Sequence, residues 1–284
     1  MSSEVFREGL LDGQVAIVSG AGSGLGRAIA LELASLGAQV VGCGRRIEPV
    51  QETAELSGTG RIGAVTCDIR DEDNVDALVD EVVERHGRID LLVNNAGGQF
   101  LAPAEQITPK GFRTVIKLNV EGTWLMTHAV ATKAMIPAGR GKVVSLTISP
   151  HNGLAGMAHS SAARAAVENL MKVLSIEWAR HGIKLNSIAV GQFGTDTFFT
   201  KYPQPIVDSL AESVPLGRLG RPEEIAWLVA YLASPGGDFV SGSVLTVDGA
   251  RDNWFGRWPP SAAADAEGRP LAEARREAAP SDPS

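Results

Sequence analysis

The chain has 284 residues, 44% of them hydrophobic and 21% charged, with a formal net charge of −7. That balance fits a globular protein with a large core and argues against nucleic acid or an anionic membrane as the main partner. No apolar run reaches the length of a membrane span, residues 1–10 lack the pattern of a secretory signal, and the only cysteines, Cys43 and Cys67, sit in apolar stretches without metal-site spacing, so the expectation is a cytoplasmic protein with reduced thiols and no bound metal.

The first apolar run, residues 15–18, breaks into Ser19-Gly20-Ala21-Gly22-Ser23-Gly24-Leu25-Gly26 and re-emerges as a helical pattern over 27–36. A strand that turns through glycines into a helix N-terminus lets the backbone approach a pyrophosphate with unpaired N–H groups and a positive dipole end. The spacing is G-x-x-x-G-x-G, which makes Gly20, Ser23, Gly24, Leu25 and Gly26 candidate contacts. The second strand, 39–42, runs into Cys43-Gly44-Arg45-Arg46. An NAD site normally carries a carboxylate here for the ribose 2′-hydroxyl. Two arginines, able to grip a 2′-phosphate bidentately, point instead to NADP(H).

Further strand candidates at 63–67, 91–94, 142–146, 184–189 and 244–247 alternate with helical patterns at 48–56, 73–86, 109–135, 160–181 and 223–233. Short apolar strands alternating with amphipathic helices predict a parallel sheet covered on both faces. No linker divides the first 250 residues, so one domain is expected over 1–255. Residues 256–284 are rich in Pro, Ala and charge and read as a largely disordered tail, with a helical turn or two around 271–279. Trp254, Phe255 and Trp258 are too aromatic for a free tail and should pack back on the body or a neighbour.

Over roughly residues 11–251 the chain resembles the short-chain dehydrogenases/reductases. The matching pieces are the glycine motif, Asp68 after the third strand, Asn94-Asn95-Ala96-Gly97 after the fourth, and Asn119 in the long helix. Pro215-Leu216-Gly217-Arg218, Gly220-Arg221-Pro222-Glu223-Glu224 and Val247-Asp248-Gly249 match as well. The resemblance implies a Rossmann-type, doubly wound α/β sheet of about seven parallel strands and hydride transfer with a nicotinamide dinucleotide. It implies that Asp68 and Ile69 lie by the adenine and that Asn95, Ala96 and Gly97 support the cofactor. Asp68 is also open to reading as the cap of the helix that follows.

The family's Tyr-x-x-x-Lys pair is absent: its positions hold Ser160 and Arg164, and the upstream serine position holds Thr147. Ketone reduction leaves an alkoxide that needs a proton at once, and neither arginine nor serine is a useful acid near neutral pH. Reduction of a C=C bond conjugated to a thioester asks mainly for donors aimed at the enolate oxygen. Ser160, Arg164 and Thr147 are such donors, with Asn119 in the supporting network and Arg164 also placed to hold the nicotinamide ribose. Residues 97–105 and 159–165 resemble the enoyl-CoA reductase and 2,4-dienoyl-CoA reductase members. His151 and His159 are candidate proton donors in place of the missing tyrosine.

The segment 191–214 matches the family's mobile substrate lid, with Phe198, Phe199, Tyr202, Ile206 and Val207 suited to an acyl chain and Thr195 facing the cofactor. The expected activity is NADPH-dependent reduction of an enoyl thioester. A carbonyl reductase, a non-redox member and a silent NADP-binding module stay open as alternatives. The long helices carry apolar residues on more than one face, among them Trp124, Leu125, Met126, Val130, Leu170, Met171, Leu174 and Trp178, which predicts a homodimer or homotetramer.

Overall fold

The computed structural model describes residues 2–149, 151–201, 210–211 and 213–254. Seven strands form one sheet: β1 (Val15–Ser19), β2 (Gln39–Gly44), β3 (Ile62–Thr66), β4 (Leu91–Asn94), β5 (Gly141–Ile148), β6 (Ile183–Val190) and β7 (Val244–Val247). Their order is β3-β2-β1-β4-β5-β6-β7 and every pairing is parallel. The order reverses between β1 and β4, and the carboxyl ends of strands at such a switch point are where α/β sheets bind ligands. The expected doubly wound, single-domain fold is therefore observed.

The helices whose bounds the described residues give are α1 (Gly24–Ser35), α2 (Glu48–Ser57), α3 (Glu72–His86), α4 (Pro109–Ile116), α5 (Gly122–Val130), α6 (Ile136–Ala138), α7 (Ala158–Glu177), α8 (Asp196–Lys201) and α9 (Pro222–Ala233). Asp71, not Asp68, caps α3, its carboxylate accepting from the Asn74 amide at 3.0 Å. The helix expected over 109–135 runs on to Ala138 but is interrupted by π turns at Lys117–Glu121 and Ala131–Met135. Such turns open the backbone ladder locally and recur at functional sites. The first of them holds Asn119.

Two apolar layers cover the sheet. On one face Ala16, Val18, Leu91 and Val144 pack with Ile29 and Leu33 of α1 and Ile225 and Val229 of α9. On the other, Ile17, Leu92 and Val143 pack with Val75 and Val79 of α3, Met126 and Val130 of α5, and Val167 and Met171 of α7. Full burial of such a side chain contributes about 1.5–3 kcal/mol. Cys43 and Cys67 are buried, unbridged thiols in this second layer. Met126, Val130, Met171 and Leu174 lie inside this layer, so the apolar surface left outward on these helices is Trp124, Val173 and Ile176.

Candidate active site

The glycine turn is built against β4. The Ser19 hydroxyl accepts from the amides of Asn95 (3.1 Å) and Ala96 (3.0 Å) and donates to the Val93 carbonyl. Asn95 Nδ2 donates back to the carbonyls of Ser19 and Gly20. Gly20 has φ +70°. A Cβ on Gly26 would stand 2.2 Å from the Gly20 carbonyl oxygen, and one on Gly22 2.7 Å from Pro49. Only glycine lets the turn and the first helical residues come this close. Ser23 is the N-cap residue of α1 and uses no side-chain cap, while Thr195 lies over Gly24 and Leu25 follows in the first turn.

At the end of β2, Arg45 and Arg46 are exposed and line a recess of about 420 Å³ with Gly22, Ser23, Gly44 and Pro49. Asp68 is held by Arg70, which donates Nε and Nη2 to its two oxygens at 2.8 and 2.5 Å. That pairing keeps the Asp68 carboxyl down at about 2, against burial that pushes it up, with Arg45 adding a smaller pull. Ile69 is buried beside it, against Gly122 of α5.

The third group gathers around Arg164. Its Nη1 donates to the Leu146 carbonyl at 2.8 Å, and its buried Nε has no partner. Among the described residues no carboxylate pairs with it, and burial lowers its pKa to about 10. A Cβ on Gly97 would lie 2.3 Å from Arg164 Nη2 and 2.7 Å from Asn119 Oδ1, so the backbone after β4 is pressed against both. Asn119 Nδ2 donates to the carbonyls of Gly98 and Val115, and its Oδ1 accepts from the Gly98 amide. Asn119 lies in the first π turn, from which its side chain reaches across to Gly98. Ser160 is fully buried and its hydroxyl donates to Gln99 Oε1 at 3.0 Å.

The two candidate proton donors sit apart. His159 is fully buried, both ring nitrogens unpartnered, with its ring centroid 4.2 Å from that of Phe100. His151 has Nε2 3.1 Å from Glu168 Oε1 and Nδ1 2.5 Å from Asp252 Oδ2. Thr147 belongs with this second group, its hydroxyl donating to the same Glu168 oxygen at 2.7 Å. Thus Arg164, Asn119 and Gly97 come together, Ser160 joins them through the segment after β4, and Thr147 and His151 meet at Glu168.

Sequence reasoning missed Arg70, Gln99, Glu168 and Asp252. The four-residue step from Arg164 to Glu168 along α7 was the available signal for one of them; the others are paired only by the fold. Of the lid, Tyr202, Ile206 and Val207 lie outside the described residues, as do Phe255 and the segment 256–284 with Trp258. The side chain of Phe198 does too.

A seven-stranded parallel sheet with a glycine turn and arginines at the carboxyl ends of its strands defines a nucleotide-binding α/β protein. The sequence profile of the family described as enoyl-(acyl carrier protein) reductase matches residues 20–250, and the chain belongs to this short-chain dehydrogenase/reductase family. A probable 2,4-dienoyl-CoA reductase of Bacillus subtilis (strain 168) is 34% identical over 257 residues, covering 88% of this chain and 100% of that protein. Gluconate 5-dehydrogenase of Gluconobacter oxydans (strain 621H) is 37% identical over 244 residues, 84% of this chain and 94% of that one. Among solved structures, a citronellol catabolism dehydrogenase of Pseudomonas aeruginosa PAO1 superposes with a TM-score of 0.78 at 38% identity, over 87% of this chain and 98% of that chain. The chain is accordingly an oxidoreductase of a family that uses NAD or NADP, and none of the helices among the described residues is long and apolar enough to cross a membrane.

Proposed function

We propose that this protein reduces the C=C bond of an enoyl thioester with NADPH. The observation that carries the reading is Arg164: a half-buried cation with one donor on the Leu146 carbonyl, a buried and unpartnered Nε and no countercharge among the described residues. A fixed charge of this kind serves an oxygen that becomes an enolate; it does not serve a step that needs a proton from the same group.

The residues present fit the dinucleotide. Gly20, Ser23, Gly24, Leu25 and Gly26 would hold its pyrophosphate at the start of α1, where the clashes a Cβ would meet at Gly22 and Gly26 mark a cradle. Arg45 and Arg46 would take the 2′-phosphate, Asp68 and Ile69 the adenine, Asn95, Ala96 and Gly97 the ribose side, and Thr195 the nicotinamide side. When bound, the cofactor supplies the hydride that adds to the β-carbon of the substrate. Arg164 orients the nicotinamide ribose and sets positive charge beside the thioester oxygen, and Ser160 offers that oxygen a hydroxyl donor. Asn119 fixes the backbone of Gly98 and so the wall between them. Support also comes from the relatives named as dienoyl-CoA reductases, whose printed activity is on this class of thioester. We further propose a cytoplasmic homodimer or homotetramer formed through the outward faces of α5 and α7.

The test is a panel of enoyl thioesters, ketones and polyols scored by NADPH oxidation and by NADP⁺ reduction. Turnover of enoyl thioesters but not ketones is expected. The relatives named for gluconate and threitol support a second reading, oxidation of an alcohol or reduction of a ketone. Turnover of polyols or ketones alone selects it.

A further inference from the structure

Resting on the reading above, the reduction still needs one proton for the α-carbon, and Ser160 stands where the family keeps its tyrosine. We propose that His151, Glu168 and Thr147 form a proton path from the protein surface to the reacting end of β5.

The three side chains are joined through one oxygen and graded in exposure. His151 is one-third exposed, and Thr147 is buried. Glu168 Oε1 is shared between them, 3.1 Å from His151 Nε2 and 2.7 Å from Thr147 Oγ1. The inner end adjoins Arg164, because the carbonyl that takes Arg164 Nη1 belongs to Leu146, the residue before Thr147. Thr147 also points to the α7 side of the sheet, as does Ser145 two residues earlier, which donates to Met171.

The outer end is built to carry a proton. Glu168 of α7 and Asp252 of the segment after β7 face the imidazole, and Asp248 stands behind Asp252, held to Ser149 and to the Asp252 amide. Burial works against the charge on His151, but the hydrogen bond to Asp252 and the two carboxylates outweigh it, and its pKa is raised. The site therefore favours the imidazolium more than water does.

While Glu168 is ionised, the Thr147 hydroxyl donates to it and has no proton to offer the substrate. Transfer of the Nε2 proton of His151 to Glu168 reverses this. Glu168 then donates to Thr147 Oγ1 as the Thr147 hydroxyl turns and gives its own proton to the enolate. One N–H bond at His151 is broken and one C–H bond is formed at the α-carbon with the enolate's electron pair. The positive charge leaving His151 cancels the enolate's negative charge. Neutral His151, one-third exposed, regains a proton from solvent, and Glu168 and Thr147 return to their starting states.

Three isosteric or near-isosteric variants, Thr147→Val, Glu168→Gln and His151→Gln, test the path. With an enoyl thioester each should lower kcat about a hundred-fold, within the usual range for a positioned acid, and leave KM nearly unchanged. The unmutated enzyme should lose kcat as pH rises through the His151 pKa and show a solvent deuterium isotope effect. In His151→Gln the pH limb should vanish, and added imidazole should restore turnover to His151→Ala. In cofactor-free protein the His151 ring, followed by NMR, should titrate at lower pH in Glu168→Gln than in the unmutated chain. If no enoyl thioester is reduced, the reading falls and the path falls with it. If the thioester is reduced but Glu168→Gln and His151→Gln keep the pH profile and isotope effect, only the path is overturned.

Discussion

Arg164 brings a permanent charge to a place where, among the described residues, one acceptor, the Leu146 carbonyl, meets it. Arg164→Ala should therefore damage both NADPH affinity and turnover, whereas Ser160→Ala should lower turnover about a hundred- to a thousand-fold and leave NADPH affinity nearly intact. Arg164→Lys should recover part of the activity and no ketone reduction, since a point charge replaces a planar fork. Steady-state kinetics with parallel nucleotide titrations check all three; an unaffected Ser160→Ala would remove that residue from the site. At the other end of the nucleotide, Arg45→Ala should erase most of a preference for NADPH over NADH, a charge-assisted pair contributing about 1.5–3 kcal/mol. Equal titration curves on the unmutated chain would defeat that assignment. At this scale the sequence was legible wherever chemistry sets residue type: Arg164, Ser160, Asn119 and the arginine pair stood out. Asp252 was not, because it meets His151 across 101 residues of chain.

Among the elements, the strands were readable from runs of Val, Ile and Leu buried on both faces. Strands β5 and β6 extend beyond the expected bounds because Gly141, Thr147 and Ile148 pair in full register with Ile183, Ala189 and Val190. The π turns were not readable from periodicity along one helix; the first holds Asn119, whose side chain meets Gly98 across 21 residues of chain. The start of α1 is the most constrained stretch. Gly26→Ala would press a methyl into the Gly20 carbonyl and Asn95 Nδ2, so it should cost at least the 1–3 kcal/mol typical of overpacking and abolish nucleotide binding. A melting curve and a nucleotide titration read both effects, and an unchanged melting temperature would contradict the packing. At α9, Glu224 accepts from the Arg221 amide and pairs with Arg218, whose hydrogen bond holds its carboxyl at about 2. A depressed carboxyl stabilises the fold above its unfolded value of 4.5 and ceases to as pH falls through 2. Glu224→Gln should accordingly flatten part of the acid limb of a urea midpoint-against-pH curve; the same limb in both proteins would show that the pairing is lost to solvent.

For the whole molecule, fold class followed from strand–helix alternation, while assembly did not, because several of the apolar residues that suggested a partner are buried within the chain. What remains outward is Trp124 at 39%, Val173 at 43% and Ile176 at 78% exposure. Light scattering at micromolar concentration should give a dimer or tetramer, and Ile176→Asp should shift it toward monomer. A monomer before substitution would end that proposal.

The latch between Ser19 and the Asn95 and Ala96 amides also has a kinetic meaning. Its partners are 76 and 77 residues apart, so the turn after β1 acquires its shape only once β4 has docked beside it. Contacts of such long sequence separation close late, after the loop entropy between them has been overcome. A nucleotide that grips this turn would thus recognise the finished sheet and little of what precedes it. It should slow unfolding, in stopped-flow denaturant jumps, and leave the refolding rate where it was.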